Sequence, residues 1–253
     1  MPANKVTEAV VLMAGSGSRL RGLDDAILKP LVPILGRPLI SYVLEALACA
    51  GMTTIHMVIG YKGEQLRTAI VNLAPPKVEL NFVNNPDWQK QNGLSVLAAT
   101  ESVTGPFLLT MSDHLFDNSI VDLLLHNAVL DELNLAIDRK VESIFDSDDS
   151  MKVQTQGDRI FEIGKDLTNY DAIDTGFFVC PLNIFDHLDR VKRDGDCSLA
   201  DGVRSMALEG KARAIEIGNA WWQDIDTPEM LAQAEKHLRA RVPLTTEPIP
   251  KIS

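Results

Sequence analysis

The chain has 253 residues, of which 45% are hydrophobic and 23% are charged, and its formal net charge is −11. This composition is typical of a folded globular protein with a substantial core, and the length is compatible with one large α/β domain or with two small ones. The acidic balance argues against general nucleic-acid binding, which needs a basic surface, and it means that an anionic substrate must be attracted by local cations.

The N-terminus and the cysteines set two further limits. Residues 1–5 lead into no apolar signal core, and no stretch approaches the ~20 apolar residues of a membrane-spanning helix. Cys49, Cys180 and Cys197 are far apart and odd in number, so the sequence indicates neither a disulfide framework nor a zinc-binding spacing. We therefore expect a cytoplasmic protein without direct membrane insertion.

The first half of the chain alternates short apolar strands with amphipathic helices. The predicted strands are residues 6–12, 53–59, 78–83 and 107–111, and the predicted helices are residues 38–50, 63–73 and 93–101. Such an alternation predicts a mostly parallel sheet that is covered by helices on both faces.

The second half has a different pattern, in which four strand-like segments come close together and a turn at Gln156-Gly157-Asp158 joins two of them. The predicted strands are residues 133–137, 151–156, 159–163, 173–180 and 213–217, with a strand-like segment at 222–226, and the predicted helices are residues 181–191, 199–209 and 228–240. This pattern favours a small mixed-strand insertion. The predicted fold class is therefore α/β, a Rossmann-like three-layer sandwich with a mostly parallel central sheet, formed as one domain by residues 1–241. Residues 242–253, which contain three prolines, are expected to form an extended tail.

The most informative segment joins the first strand to a glycine-rich turn. Residues 12–18 read Leu-Met-Ala-Gly-Ser-Gly-Ser, and Arg19 and Lys29 follow. Small residues let backbone N–H groups surround a phosphate oxyanion, and the two cations supply the positive charge that a triphosphate needs. The spacing fits neither a Walker A loop nor a dinucleotide fingerprint. An ordinary glycine-rich turn is the alternative, but the two cations, together with Pro30, favour a nucleotide site.

Carboxylates follow two other strands. Asp113 comes just after an apolar strand, and ligands of open parallel sheets bind at the carboxyl ends of strands, so Asp113 is expected in the same crevice as the glycine-rich turn. Asp224 and Asp226 lie on one face of a strand-like segment and would repel each other unless a cation lies between them. Mg²⁺ needs only one or two protein carboxylates. Capping of the last helix by Asp226 or Thr227 is the alternative.

Several segments together resemble a known superfamily. Residues 14–40 are similar to the opening motif of nucleoside-triphosphate transferases, the sugar-1-phosphate nucleotidyltransferases and their cytidylyltransferase relatives. Residues 111–114, 163–165 with 174–176, and 222–229 fit the same superfamily in the expected order. Residues 111–114, 136–139 and 171–176 most resemble CTP:inositol-1-phosphate cytidylyltransferases. The resemblance implies a fold of the nucleotide-diphospho-sugar transferase type.

The resemblance implies a Mg²⁺-dependent enzyme that transfers CMP from CTP to a phosphorylated polyol, first of all inositol 1-phosphate, and releases pyrophosphate. Alternative acceptors are a hexose 1-phosphate, phosphocholine or a phosphonate, with CTP, UTP or dTTP as donor. A non-catalytic, nucleotidyltransferase-like regulatory subunit is an alternative of another class. Because relatives are often fused to a membrane alcohol phosphotransferase, a separate membrane phosphotransferase is an expected partner, and a homodimer stays open.

The resemblance also implies roles for individual residues. The expected catalytic residues are Arg19, Lys29 and Lys165, and the expected metal ligands are Asp113 with either Asp224 or Asp226. The nucleotide-binding candidates are Leu12, Ala14, Gly15, Ser16, Gly17, Ser18, Arg19, Lys29, Asn92, Gly93, Ser95 and Asp113. The acceptor-binding candidates, mostly in a subregion of about residues 131–180, are His114, Asp138, Lys165, Asp174, Thr175 and Gly176. For His114, a structural role and orientation of the neighbouring Asp113 are alternatives.

Overall fold

The structure, a computed structural model, describes residues 5–17, 27–143 and 150–241. The strands of the first half are β1 (Glu8–Leu12), β2 (Pro33–Ile34), β3 (Arg37–Pro38), β4 (Thr54–Ile59), β5 (Glu79–Asn84), β6 (Phe107–Met111) and β7 (His114–Phe116). The helices of this half are α1 (Leu39–Cys49), α2 (Gly63–Ile70), α3 (Asn92–Ala98) and α4 (Ser119–Asn127).

The second half contributes more strands than helices. The strands are β8 (Leu133–Asp138), β9 (Lys152–Gln156), β10 (Arg159–Gly164), β11 (Ala172–Cys180), β12 (Ala212–Glu216) and β13 (Trp222–Asp224). The helices are α5 (Ile184–Val191), α6 (Leu199–Leu208) and α7 (Pro228–Arg241).

One nine-stranded sheet organises the molecule, with the strand order β5-β4-β1-β6-β11-β8-β12-β10-β9. The strands β5, β4, β1 and β6 are all parallel, as the alternating pattern predicts. From β11 onwards the directions are mixed, because β11 is antiparallel to both β6 and β8 whereas β12 is parallel to β8. The mixed part supplies five of the nine strands. It is therefore slightly more than half of the sheet and larger than the small insertion that the sequence pattern favours.

Two hydrophobic clusters cover the two faces of this sheet. Along β1, Val10 and Leu12 point to a cluster that includes residues of α5 and α6, whereas Ala9 and Val11 point to a cluster that includes residues of α1 and α4. Strands buried on both faces in this way have near-continuous apolar sequences. The apolar sequence of β1 follows from this burial on both faces, and it is the feature from which the strand is predicted.

A smaller sheet of β7 and β13 lies beside the main one. The two strands are antiparallel and pair Asp224 with His114. The sequence pattern does not predict β7, because three residues are too few to show a period of two. None of the helices within the described ranges combines the length and hydropathy needed to cross a bilayer.

Candidate active site

The glycine-rich turn, Lys29, Asp113 and Asp226 meet in one cavity of about 410 Å³. The cavity lies where β1 and β6, which are neighbouring parallel strands, end. A hydrogen bond from the Ser112 N–H to the Leu12 carbonyl (3.1 Å) continues the pairing one step past these strands. The predicted convergence of segments remote in sequence is therefore present among the described residues.

Gly17 lets the glycine-rich turn pass close to Lys29. Its φ is +60°, and a Cβ atom placed on it would lie 2.7 Å from the Lys29 Cβ. Only a residue without a side chain fits both the left-handed backbone and this close approach. The cavity walls also include Leu12, Ala14 and Gly15. Ser16 is described but is not among the residues that line the cavity, and Ser18 and Arg19 lie outside the described residues.

Lys29 lies between two carboxylates that come from distant parts of the chain. Its Nζ is 2.5 Å from Asp113 Oδ2 and also donates to Asp226 Oδ1. The three side chains are largely shielded, with 12%, 23% and 17% of their surface exposed, respectively. Lys29 therefore lies as a cation between Asp113 and Asp226.

The segment after β13 is fixed so that Asp226 can reach Lys29. The Ile225 N–H donates to the Asp113 carbonyl over 2.9 Å. The Thr227 Oγ1 accepts from the Met230 N–H over 3.3 Å, which caps α7. Thr227 therefore caps α7, and the side chain of Asp226 contacts Lys29 instead.

The ionisation of these groups follows from their contacts. Burial, the largest single effect, favours the neutral form of Asp113, but the charges of Lys29 and His114 and the hydrogen bonds from them together outweigh burial and hold the pKa of Asp113 well below its usual range. Burial likewise opposes the charge on Lys29, yet Asp113 and Asp226 raise the pKa of Lys29 above its ordinary value. Burial raises the pKa of Asp224, and the neighbouring carboxylates of Asp226 and Asp113 add to this rise, against an opposing effect of His114.

The carboxylates are suited to a hard divalent cation, although they do not form a ready cage. Within the part of the chain that the structure describes, no group of three or more His, Cys, Asp or Glu side chains has the spacing of a metal site. Asp113 and Asp226 nevertheless line one cavity, and Asp224 interacts electrostatically with both carboxylates. Mg²⁺ commonly binds to one or two carboxylates together with water and substrate phosphates. The donor set therefore fits Mg²⁺ that arrives with a triphosphate.

Helix α3 forms another wall of the cavity through Asn92 and Ser95. The Asn92 Oδ1 accepts from the Leu199 N–H over 2.8 Å and so joins α3 to the start of α6. The Ser95 Oγ accepts from the Asn85 amide over 3.0 Å. Gly93 is buried in the first turn of α3, where a Cβ would lie 2.5 Å from the Cys197 carbonyl oxygen. Gly93 is therefore a packing residue in this structure, whereas Asn92 and Ser95 reach the cavity.

Lys165 lines a second cavity of about 550 Å³. Asn92 lines both cavities, so the two adjoin at α3. Arg204 on α6 also lines the second cavity and donates to the Ile163 carbonyl over 2.6 Å. The expected binding groups for the two substrates therefore occupy neighbouring hollows.

The remaining acceptor-binding candidates lie behind this site. Thr175 is fully buried and its hydroxyl donates to the Ala136 carbonyl over 2.8 Å. Asp138 is also buried, and its Oδ2 accepts from the Trp222 indole over 2.9 Å. Among the described residues, Thr175 and Asp138 therefore lie in the interior and line neither of the two cavities, because long-range strand pairing turns both inward.

Asp174 and Gly176 form a local turn within β11. The Gly176 N–H donates to Asp174 Oδ1 over 2.7 Å, at a register shift between β11 and β8. Burial raises the pKa of Asp174 to about 6, against the opposing effects of this hydrogen bond and of His114. His114 itself is buried against the Gly176 backbone.

Sequence reasoning missed several residues that line the two cavities. Met13, Met111 and Ser112 line the first cavity, and Arg204 lines the second. The positions of Met111 and Ser112 next to Asp113 are a signal that could have identified them. For Arg204 the sequence holds no such signal, since an arginine on the polar face of a helix is common.

Comparison with known proteins gives a family and a group of relatives. Residues 9–143, more than half of the chain, match the family described as MobA-like NTP transferase domain. The chain is 29% identical over 236 residues to the "Bifunctional IPC transferase and DIPP synthase" of Aquifex aeolicus, and this alignment covers 92% of the chain and 52% of the relative. A protein of the same name from Rubrobacter xylanophilus is 31% identical over 230 residues, with 90% and 51% covered. The chain thus spans about half the length of these curated relatives.

Solved structures show the same fold. The inositol-1-phosphate CTP transferase from T. maritima superposes with a TM-score of 0.81 at 25% identity, covering 93% of this chain and 96% of that one. A UDP-glucose pyrophosphorylase complexed with UDP-glucose superposes with a TM-score of 0.74, covering 93% and 99%, and at 17% identity it shows the fold alone. The predicted α/β fold of the nucleotide-diphospho-sugar transferase type and the resemblance to this superfamily are therefore confirmed, although the mixed part of the sheet is larger than predicted.

Proposed function

The chain belongs to the family of MobA-like NTP transferase domains, and we propose that it transfers CMP from CTP to inositol 1-phosphate and releases pyrophosphate. The observation that supports the reaction is the cavity in which the glycine-rich turn, Lys29 and Asp113 come together. The choice of CTP and inositol 1-phosphate is supported by the names of the relatives that match over about nine-tenths of this chain.

In the proposed reaction, a phosphate oxygen of the acceptor attacks the α-phosphorus of CTP in line. A new P–O bond forms as the bond to the bridging oxygen of the β-phosphate breaks, and pyrophosphate leaves with that electron pair. Little covalent chemistry falls to the protein, so orientation of the reactants and stabilisation of negative charge dominate catalysis.

The cationic side chains have separate tasks in this proposal. Lys29 lies against the glycine-rich turn and would bind the triphosphate, exchanging one carboxylate partner for a phosphate. Lys165 lies in the adjoining cavity and would bind the phosphate of the acceptor. Arg19, which is outside the described residues, stays a predicted triphosphate ligand.

We propose Mg²⁺ as the cofactor, held by Asp113 and by one of Asp224 and Asp226. When bound, the ion would neutralise negative charge on the triphosphate and on the leaving pyrophosphate. Asp226 already shares Lys29 with Asp113, and this contact makes Asp226 the first candidate for the second ligand.

A pyrophosphate-release screen tests the proposal. CTP, UTP, dTTP, ATP and GTP are each combined with inositol 1-phosphate, a hexose 1-phosphate, phosphocholine and an aminoalkylphosphonate, with Mg²⁺ and, as the control, with EDTA. We expect fastest release from CTP with inositol 1-phosphate, loss of release in EDTA, and a CDP-inositol product by mass spectrometry. Release from another pair overturns the substrate assignment, and no release from any pair supports a non-catalytic role.

A further inference from the structure

A buried histidine lies directly behind Asp113. The Nδ1 of His114 is 2.7 Å from Asp113 Oδ1, whereas Lys29 donates to the other oxygen, Oδ2. An ionised carboxylate can only accept hydrogen bonds, so Nδ1 carries the proton and donates it. The two oxygens of Asp113 are therefore held by two different donors. The final torsion of an aspartate is otherwise broad, and two such donors fix it.

Aromatic side chains hold the imidazole in place. The Trp222 ring stacks on it at a centroid distance of 6.0 Å and an interplanar angle of 13°, and Phe177 meets it edge-on at 5.9 Å. The Trp222 indole is itself anchored, because its Nε1 donates to the buried Asp138. Asp138 thus acts on the site from a distance, through Trp222 and His114.

The backbone of β11 closes the remaining side of the ring. Gly176 has a φ of +78°, and a Cβ placed there would lie 2.5 Å from His114 Nε2. The edge of the imidazole that faces away from Asp113 is thus packed against main chain. This leaves little room for an acceptor molecule at that edge.

We propose that His114 is a positioning residue that fixes the orientation of Asp113, and that it does not bind the acceptor. The inference rests on the proposed function, in which Asp113 acts beside the triphosphate. Residues that orient a functional carboxylate typically change activity by about 10–100-fold when they are removed.

Two substitutions separate the hydrogen bond from the bulk of the ring. His114→Leu keeps apolar volume but removes the donor, and His114→Asn places an amide N–H close to the position of Nδ1. We expect His114→Leu to lower kcat by about 10–100-fold with the KM for inositol 1-phosphate within about twofold, and His114→Asn to restore most of kcat. Circular dichroism and the unfolding midpoint confirm that both variants fold.

Three kinetic outcomes overturn the inference. A higher KM for the acceptor at unchanged kcat assigns His114 to acceptor binding. Unchanged kinetics in His114→Leu removes any role. An equal loss of kcat in folded His114→Leu and folded His114→Asn shows that the hydrogen bond to Asp113 does not determine turnover.

A readout independent of turnover distinguishes this inference from the proposed function. In ¹⁵N-histidine-labelled protein, we expect a downfield Nδ1 proton of His114 that shifts upfield in Asp113→Ala. Gly176→Ala should shift the same resonance, because the added methyl group contacts His114 Nε2. Gly157→Ala should not shift it: Gly157 also has a positive φ, of +66°, but it has open space around it. A resonance unmoved by Asp113→Ala overturns the inference. If the resonance shifts but the wild type shows no turnover with any substrate pair, the proposed function fails and the contact stands.

Discussion

Lys29 is the side chain on which the charge balance of the site depends. It contacts Asp113 and Asp226, which are 84 and 197 positions away in the sequence. Removing one member of a shielded ion pair leaves the other charges without compensation, and such changes are much more harmful than surface substitutions.

We predict that Lys29→Ala lowers turnover by about 10²–10³-fold, because it removes a positive charge from the proposed triphosphate site. It should also reduce the free energy of unfolding by roughly 1–3 kcal/mol, since two carboxylates then face each other without the cation. Lys236→Ala, at an exposed position of α7, removes the same charge and should leave both quantities nearly unchanged. Initial rates and urea unfolding measure the effects, and a Lys29→Ala enzyme with wild-type turnover contradicts the assignment.

Asp174 makes the free energy of unfolding fall as pH rises, because its pKa is raised in the folded protein. Burial raises the pKa of Asp174 from 3.8 to about 6, so between these values the folded protein binds more protons than the unfolded chain. By linkage, the free energy of unfolding then falls as pH rises from about 4 to about 6, and this contribution is constant above pH 6. Most buried or paired carboxylates with lowered pKa values, such as Asp113, act in the opposite direction.

We predict that Asp174→Asn stabilises the protein at pH 7.5 more than at pH 4.5, by a difference of about 1–3 kcal/mol. The amide stays neutral at both pH values, and its oxygen can still accept from the Gly176 N–H as Asp174 Oδ1 does. Urea unfolding of both proteins at the two pH values measures the difference. If Asp174→Asn changes the free energy of unfolding by the same amount at both pH values, Asp174 ionises without cost in the folded state.

The sequence places residues that follow the parallel strands better than residues of the mixed strands β8 and β11. The glycine-rich turn and Asp113 could be placed in one crevice because the carboxyl ends of parallel strands meet at one edge. The inward orientation of Thr175 and Asp138 depends on the register between β11 and β8, which shifts between Asp174 and Phe178. A shift of one residue reverses the face on which a side chain lies, and no local pattern reveals it.

At the scale of elements, the junction between α3 and α6 links the two cavities. Gly93 donates its N–H to the Cys197 carbonyl, and Asn92 on the same helix accepts from the Leu199 N–H. Ser198 caps α6 through a reciprocal pair with Asp201. The sequence predicts both helices, but contacts across about 105 positions lie beyond any helical pattern. Their consequence is that α3 has little freedom to move.

We predict that Gly93→Ala destabilises the protein although alanine is the better helix former. The helix-propensity gain is about 1 kcal/mol, whereas a Cβ at 2.5 Å from a carbonyl oxygen forces a backbone shift that costs roughly 1–3 kcal/mol. The shift should also weaken CTP binding, because Asn92 lines the cavity in which we propose that CTP binds. Gly105→Ala, with nothing within 4 Å, is the matched control and should change stability by less than about 0.5 kcal/mol. Urea unfolding and calorimetric titration test both variants, and a fully stable Gly93→Ala protein would contradict the tight junction.

At the scale of the whole molecule, the central sheet joins a parallel half to a mixed half. The junction is the antiparallel pairing of β6 with β11, in which Phe178 lies opposite Leu109. The apolar cluster on one face includes Val10 of β1 and Ile137 of β8, so it extends across the junction. The sequence suggests two patterns of strands, but the shared core indicates one structural unit. We therefore expect the two halves to unfold together.

We predict a single unfolding transition in which substitutions in either half shift every probe equally. Ile55→Val in β4 and Ile137→Val in β8 each remove one methylene from a fully buried side chain and should each cost about 0.5–1.5 kcal/mol. In both variants, the midpoints from tryptophan fluorescence and from far-ultraviolet circular dichroism should move together, by roughly 2–4 °C per kcal/mol for a chain of this size. If Ile137→Val moves one probe and leaves the other in place, the mixed half unfolds separately from the parallel half, which contradicts the single structural unit.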